Sequence, residues 1–164
     1  MREKEKKMNK KEYDEALSNH RMKVEEYIYC ISTNLLMRGM CHDSSKYKEP
    51  EYSAFLKATN MRDCEYDSEE YRKRLASLAN ARSYHYLVNS HHPQHYRNGV
   101  NGMDLMDVIE MLCDWKASVC RNRNEGFAMC LKLNIKRFKI DEQLGEILTN
   151  TAERLWPEDF KKKE

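Results

Sequence analysis

Apolar residues recur along this chain at intervals of three and four, the period of an amphipathic helix, and no stretch sustains the alternation of a strand. The longest stripe, Tyr13, Leu17, Val24, Tyr27, Ile28, Ile31 and Leu35, predicts a first helix over residues 11–38, ended by Gly39. His20 falls within that stripe, three residues after Leu17 and four before Val24, and is therefore expected to face a core. A short helix is expected over 42–48, and a third from Pro50, a good first-turn residue, to 59. Beyond a polar loop at 60–67, Ser68 reads as an N-cap with Glu69 and Glu70 in the first turn. The helix it opens reaches about residue 89 and carries Tyr71, Leu75, Leu78, Ala79 and Tyr86 on one stripe, with Arg82 and His85 beside them.

Pro93 ends that helix, because the residue before a proline is pushed toward extended backbone. Asp104 reads as the cap of a helix over 105–122, followed by a short helix over 127–136 after Gly126 and a last one from Asp141 to 156. Only five glycines and three prolines punctuate the chain. The expected fold is all-α, a single-domain bundle of six or seven helices over 11–156, with a flexible basic stretch at 1–10 and a charged tail at 157–164.

Composition narrows the setting. At 164 residues the chain suits one domain with a sizeable core. With 40% hydrophobic and 34% charged residues, it reads as a folded soluble protein. A net charge of +2 argues against a dedicated nucleic-acid binder. No apolar run approaches the roughly 20 residues that span a bilayer, and no apolar segment follows the basic start as in a secretory signal. A cytoplasmic location follows as the expectation. The six cysteines form no C-x-x-C pair and are expected to be reduced thiols.

The chemistry lies in the histidines and their acidic neighbours. All six histidines fall between positions 20 and 95, and the order along the chain is His20, His42-Asp43, His85, His91-His92, then Asp114. Imidazole and carboxylate together suit a divalent transition metal such as manganese, iron, zinc, nickel or cobalt. At about 100° per residue, Leu105, Val108, Ile109, Leu112, Trp115 and Val119 share one side of their helix. Asp114 falls opposite, with Asp107, Glu110, Ser118 and Arg121. That polar face is expected to line a metal pocket, with Glu110 as a substitute ligand or a partner of the ligands and Arg121 as a phosphate contact. Adjacent histidines in extended backbone point to opposite sides, so His91 and His92 are expected to address an ion differently. His95 reads as a loop residue or a phosphate contact.

This order, H…HD…H…HH…D, resembles the HD superfamily of metal-dependent phosphohydrolases, and more narrowly its two-metal branch. The resemblance implies His20, His42, Asp43 and Asp114 as the ligands shared with one-metal members, and His85, His91 and His92 as those added for a second ion. It also implies that Asp43 bridges the pair. Lys46 completes an H-D-x-x-K element similar to that of cyclic-dinucleotide phosphodiesterases in the superfamily, which implies a lysine that holds or protonates a phosphate oxygen. Their GYP-type signature is absent here, since the chain reads His91-His92-Pro93-Gln94-His95-Tyr96. The segments around His42-Asp43, His91-His92-Pro93 and Glu110 to Lys116 are also similar to a group of short HD-like proteins without an assigned substrate.

The expected activity is hydrolysis of a phosphate ester in a nucleotide-like small molecule. Asp43 and Lys46 are the catalytic candidates, Lys46, Arg82, His95 and Arg121 the candidate phosphate contacts, and Tyr47, Tyr84, Tyr86, Tyr96 or Trp115 the candidate stacking surfaces. Two alternatives stand beside it: a di-iron oxygenase on the same scaffold, and a metal-stabilised protein that sequesters a nucleotide without turning it over. A homodimer is compatible with a small helical domain, and neither nucleic acid nor a membrane is expected as a partner.

Overall fold

Asn9 and Glu12 open the first helix, α1 (Lys10–Cys41), by exchanging hydrogen bonds. The Asn9 amide donates to Glu12 Oε2 at 3.0 Å and the Glu12 amide to Asn9 Oδ1 at 3.1 Å, which satisfies two of the orphan donors of the first turn. In this computed structural model, which describes residues 9–59, 69–119 and 126–161, α1 continues past Gly39 instead of ending there. A glycine ends a helix by taking up left-handed backbone, and Gly39 does not do so. The chain divides into two compact units, Met1–Met40 and Cys41–Glu164. The described part of the first unit is this one helix, which has no neighbour within its unit to cover the apolar stripe. No residue of α1 is buried, and His20 is exposed rather than turned into a core.

The second unit contains α2 (Glu51–Thr59), α3 (Glu69–Val88), α4 (Leu105–Val119), α5 (Phe127–Arg137) and α6 (Glu142–Leu155). The described residues contain no strand, so the all-α expectation holds. None of the described helices is long and apolar enough to cross a membrane. The expected cap Ser68, the loop at 60–67, the end of the fifth helix at 120–122 and Arg121 lie outside the described residues.

Helices α4, α5 and α6 build the main core. Val108, Met111, Leu112 and Trp115 of α4 meet Phe127 and Leu131 of α5 and Leu148 and Ala152 of α6. Full burial of a side chain the size of Leu or Phe contributes roughly 1.5–3 kcal/mol. Trp115 stacks on Phe138 with ring centroids 5.7 Å apart, and Phe127 meets Trp156 edge-on at 5.4 Å. Asp141 caps α6 as expected, accepting from the Leu144 amide at 2.8 Å. This core holds the apolar side of α4 in place and leaves its polar side to face elsewhere.

The segment before α2 departs from the helix expected at 42–48. Asp43 takes left-handed backbone, φ 55° and ψ 20°, and only a single 3-10 turn, Ser44–Tyr47, follows. A left-handed residue breaks the i to i−4 hydrogen-bond ladder, and aspartate is among the few non-glycine residues that tolerate it. The break turns the chain sharply between His42 and Lys46. α2 then packs on α3 and on this turn, with Ala54 and Ala81 buried.

The connection from α3 to α4 is fastened by Asp107, which is 2% exposed. It accepts from Ser90 Oγ at 2.6 Å, from the Tyr96 hydroxyl at 2.6 Å and from the Asp104 amide at 3.2 Å. Asp104 in turn accepts from the Asp107 amide at 2.9 Å, so it caps α4 as expected. Gly102 lets Tyr96 lie close: a Cβ there would stand 2.7 Å from Tyr96 Cβ. Asp107→Ala leaves the half-buried Ser90 and Tyr96 hydroxyls without their acceptor, and a loss of about 1–3 kcal/mol is expected from urea unfolding. A loss under about 0.5 kcal/mol would mean the connection is held by other contacts.

Candidate metal centre

The second unit brings seven of the candidate residues together. The turn at Asp43 supplies His42, Asp43 and Lys46, the last turn of α3 supplies His85, the connection after it supplies His91 and His92, and α4 supplies Asp114. Glu110, one helical turn before Asp114, lies on the same polar side of α4. Three groups of these residues have ligand atoms within 4.8 Å of one another: Asp43 with His85, His91 and His92; His42 with Asp43 and Asp114; and His42 with His91 and Glu110. Glu110 and Asp114 of the polar side of α4 therefore do face the cluster, as the company of the other candidate ligands led one to expect, while Asp107 of that side faces the connection from α3.

Buried or half-buried carboxylates fix the orientation of the imidazoles. His85 Nδ1 donates to Glu51 Oε2 at 2.8 Å, and Glu51 is fully buried. His42 Nδ1 donates to Glu110 Oε1 at 2.8 Å, and His91 Nδ1 lies 3.1 Å from the same oxygen. A carboxylate only accepts, so the Nδ1 atoms carry hydrogens and the Nε2 atoms turn the other way, as metal-binding imidazoles do. All three Nε2 atoms converge on Asp43. Those of His85 and His91 lie 3.2 and 3.5 Å from Oδ1, and that of His42 lies 3.4 Å from Oδ2. His92 Nε2 lies 2.8 Å from His85 Nε2, and His42 Nε2 is 3.6 Å from Asp114 Oδ1.

These spacings fit a cation between the atoms. Ligands about 2.0–2.1 Å from one ion lie about 2.8–3.0 Å from their neighbours in an octahedral arrangement and about 3.3–3.4 Å in a tetrahedral one. The four Nε2–carboxylate separations, 3.2 to 3.6 Å, lie close to the tetrahedral value and are at the long limit of a hydrogen bond or beyond it. Asp43 Oδ1 and His91 Nε2 are moreover buried without any hydrogen-bond partner. Buried polar atoms normally have partners, and a shared cation would satisfy both. The residues can hold a metal ion, and imidazole-rich sets with carboxylates favour the transition metals over calcium or magnesium.

Several site expectations come out differently. The three groups are formed within the second unit, while His20 is carried by the first. His91 and His92 face one group together, with ring centroids 4.1 Å apart; a turn closed by the His92 amide to Asn89 O carries the chain into His92, whose own backbone is extended at φ −96° and ψ 128°. His95 Nδ1 donates to the Tyr86 carbonyl at 3.1 Å and serves the loop. Arg82 is exposed on α3, and among the described residues it belongs to none of the three groups. Glu51 and Asn89 were not anticipated. Asn89 Nδ2 donates to Ser45 Oγ at 2.8 Å and to the His85 carbonyl at 2.9 Å, joining the Asp43 turn to the end of α3. A first-turn glutamate and an asparagine at a helix end are ordinary in sequence, and no spacing rule would have singled them out.

The cluster is unevenly charged. Asp114, then Asp43 and Glu110, hold the His42 proton and raise its pKa to about 10 despite partial burial. Burial, reinforced by neighbouring His91 and His85, lowers His92 to about 3. Burial alone would raise the Asp43 carboxyl, but His42, His85 and Lys46 outweigh it and keep it far below the usual carboxylate range. For metal-free protein the signs follow directly. The His42 contribution to stability is complete below about pH 6.5 and lost as pH rises toward 10, whereas the His92 contribution is complete above 6.5 and lost as pH falls toward 3. Metal-free stability should therefore fall on both sides of near-neutral pH. Denaturant unfolding from pH 5 to 10 checks this, and His42→Ala should lose the alkaline limb selectively.

Residues 9–154 match the model of DUF5662, described as a family of unknown function, and the chain belongs to that family. No curated protein and no solved structure matches the chain.

Proposed function

We propose that this protein is a metal-dependent phosphohydrolase that cleaves a phosphate ester of a nucleotide-like small molecule with water. One observation carries the proposal: imidazole Nε2 atoms converge on both oxygens of one half-buried aspartate, with a lysine ammonium 2.5 Å from that aspartate. Asp43, His85, His91 and His92 would hold one divalent transition-metal ion, and His42, Asp43 and Asp114 a second. Cations held there supply charge neutralisation for a phosphoryl oxygen and lower the pKa of water enough to make it a nucleophile at neutral pH.

The surrounding residues favour a phosphate on one side. The His85, His91 and Glu51 side chains are 5%, 3% and 0% exposed, whereas His42 and Lys46 are 27% and 36% exposed. Substrate would therefore arrive over Lys46, whose ammonium meets a phosphate oxygen as a point charge. Phe55 keeps that ammonium close, with its ring centroid 5.7 Å away. Tyr47 next to it is largely exposed and offers a flat surface for a base. Glu51 and Glu110 keep the imidazoles aimed. The setting proposed is cytoplasmic, with a small phosphoester as the partner.

The test is elemental analysis of purified protein followed by a panel of phosphomonoesters and phosphodiesters with added manganese. Ester cleavage that a chelator stops and manganese restores is the expected result. Oxygen consumption without ester cleavage would point to the oxygenase chemistry instead. Unaltered ligand after long incubation of the manganese-loaded protein would point to sequestration.

A further inference from the structure

We infer that the two halves of this centre load in sequence, and that Lys46 sets the order by occupying the outer oxygen of Asp43. The inference rests on the metal-centre reading above and concerns how that centre is regulated. The two Asp43 oxygens are in different situations. Oδ1 is buried, has no hydrogen-bond partner, and faces the Nε2 atoms of His85 and His91 at 3.2 and 3.5 Å. Oδ2 faces His42 Nε2 at 3.4 Å and already accepts from Lys46 Nζ at 2.5 Å.

A cation arriving at Oδ1 meets an oxygen and a His91 Nε2 that have no hydrogen-bond partner, replaces only the neutral His85–His92 Nε2 contact at 2.8 Å, and displaces no charged group. A cation arriving at Oδ2 must push aside an ammonium that is bonded to the oxygen and held near the Phe55 ring. Two positive charges cannot share one carboxylate oxygen at ligand distance without strong repulsion. The inner position, with His85, His91 and His92, is therefore the tight one, and the outer position, with His42 and Asp114, is the weak one. The geometry of the turn makes this contact specific. Lys46 sits three residues after Asp43 across the 3-10 turn, whereas neighbouring Lys48 is exposed and makes no contact with Asp43 among the described residues.

Metal-free protein is titrated with Co2+ against a chelator and followed by calorimetry and by the cobalt absorption spectrum. Wild type should bind one ion tightly and a second at least tenfold more weakly. Lys46→Met should strengthen the second ion at least tenfold, about 1.4 kcal/mol, while the first constant changes less than threefold. Lys46→Arg should keep the gap, and Lys48→Met should leave both constants as in wild type. Circular dichroism checks that each variant is folded, and Lys46→Gln serves if the methionine variant is not. Equal shifts of both constants, an unchanged second constant, or an equal effect of Lys48→Met would overturn the inference while leaving the metal centre standing. Wild type that binds no ion would overturn the metal centre and the loading order together.

Discussion

Replacing Asp43 with asparagine is expected to remove metal-dependent ester cleavage and to lower cation content from two ions toward one or none, with helicity unchanged. Asparagine is the informative replacement because of the backbone. Asp43 sits at φ 55°, and alanine there would add roughly 1–2 kcal/mol of strain that asparagine largely avoids. The substitution removes the charge on which His42, His85 and His91 converge and with which Lys46 pairs. The apolar contacts among α4, α5 and α6 involve none of these atoms. Turnover should fall by at least a factor of 1,000, about 4 kcal/mol, since cation-assisted generation of the nucleophile is lost outright. Asp43→Asn that retains wild-type turnover at saturating manganese would sink the role assigned to Asp43.

How much of this was legible in the sequence depended on how local the cause was. Helix positions followed from the three-and-four period, and caps such as Asp104 and Asp141 from side-chain chemistry within four residues. The partnership of His42-Asp43, His85, His91-His92 and Asp114 was readable because residue type and order carry it. Gly39 misled because a glycine ends a helix only when the backbone turns left-handed; that turn is made at Asp43, four residues later. The left-handed Asp43 also replaced the expected short helix with a 3-10 turn, and it is this turn that brings Lys46 onto Asp43. His20 has the right spacing for a buried stripe, but burial depends on a neighbour that periodicity does not specify. Glu51 is the clearest case of a cause at long range. Its importance comes from a contact 34 residues along the chain, with His85, and from complete burial, neither of which leaves a pattern near position 51.

Glu51 accordingly provides the sharpest test of whether the buried acids serve the centre or only the fold. Its Oε2 accepts from His85 Nδ1, while its Oε1 is buried without a hydrogen-bond partner. A fully buried carboxylate with one oxygen unsatisfied is a cost to the folded state, so it is poorly explained as a stabilising element. Its value lies in the imidazole: the carboxylate holds Nδ1–H, which fixes Nε2 toward Asp43, and its negative charge favours a cation bound there. Glu51→Gln keeps an acceptor for Nδ1 in nearly the same volume and removes the charge. Cation affinity at the His85 position should then fall by about 10- to 100-fold, or about 1.4–2.7 kcal/mol. The metal-free protein should be as stable as wild type or more so in urea unfolding. Glu51→Leu, which also removes the acceptor, should weaken the cation further. These opposite signs separate the two roles, because a purely structural glutamate would lose stability on substitution and leave the cation constant where it was.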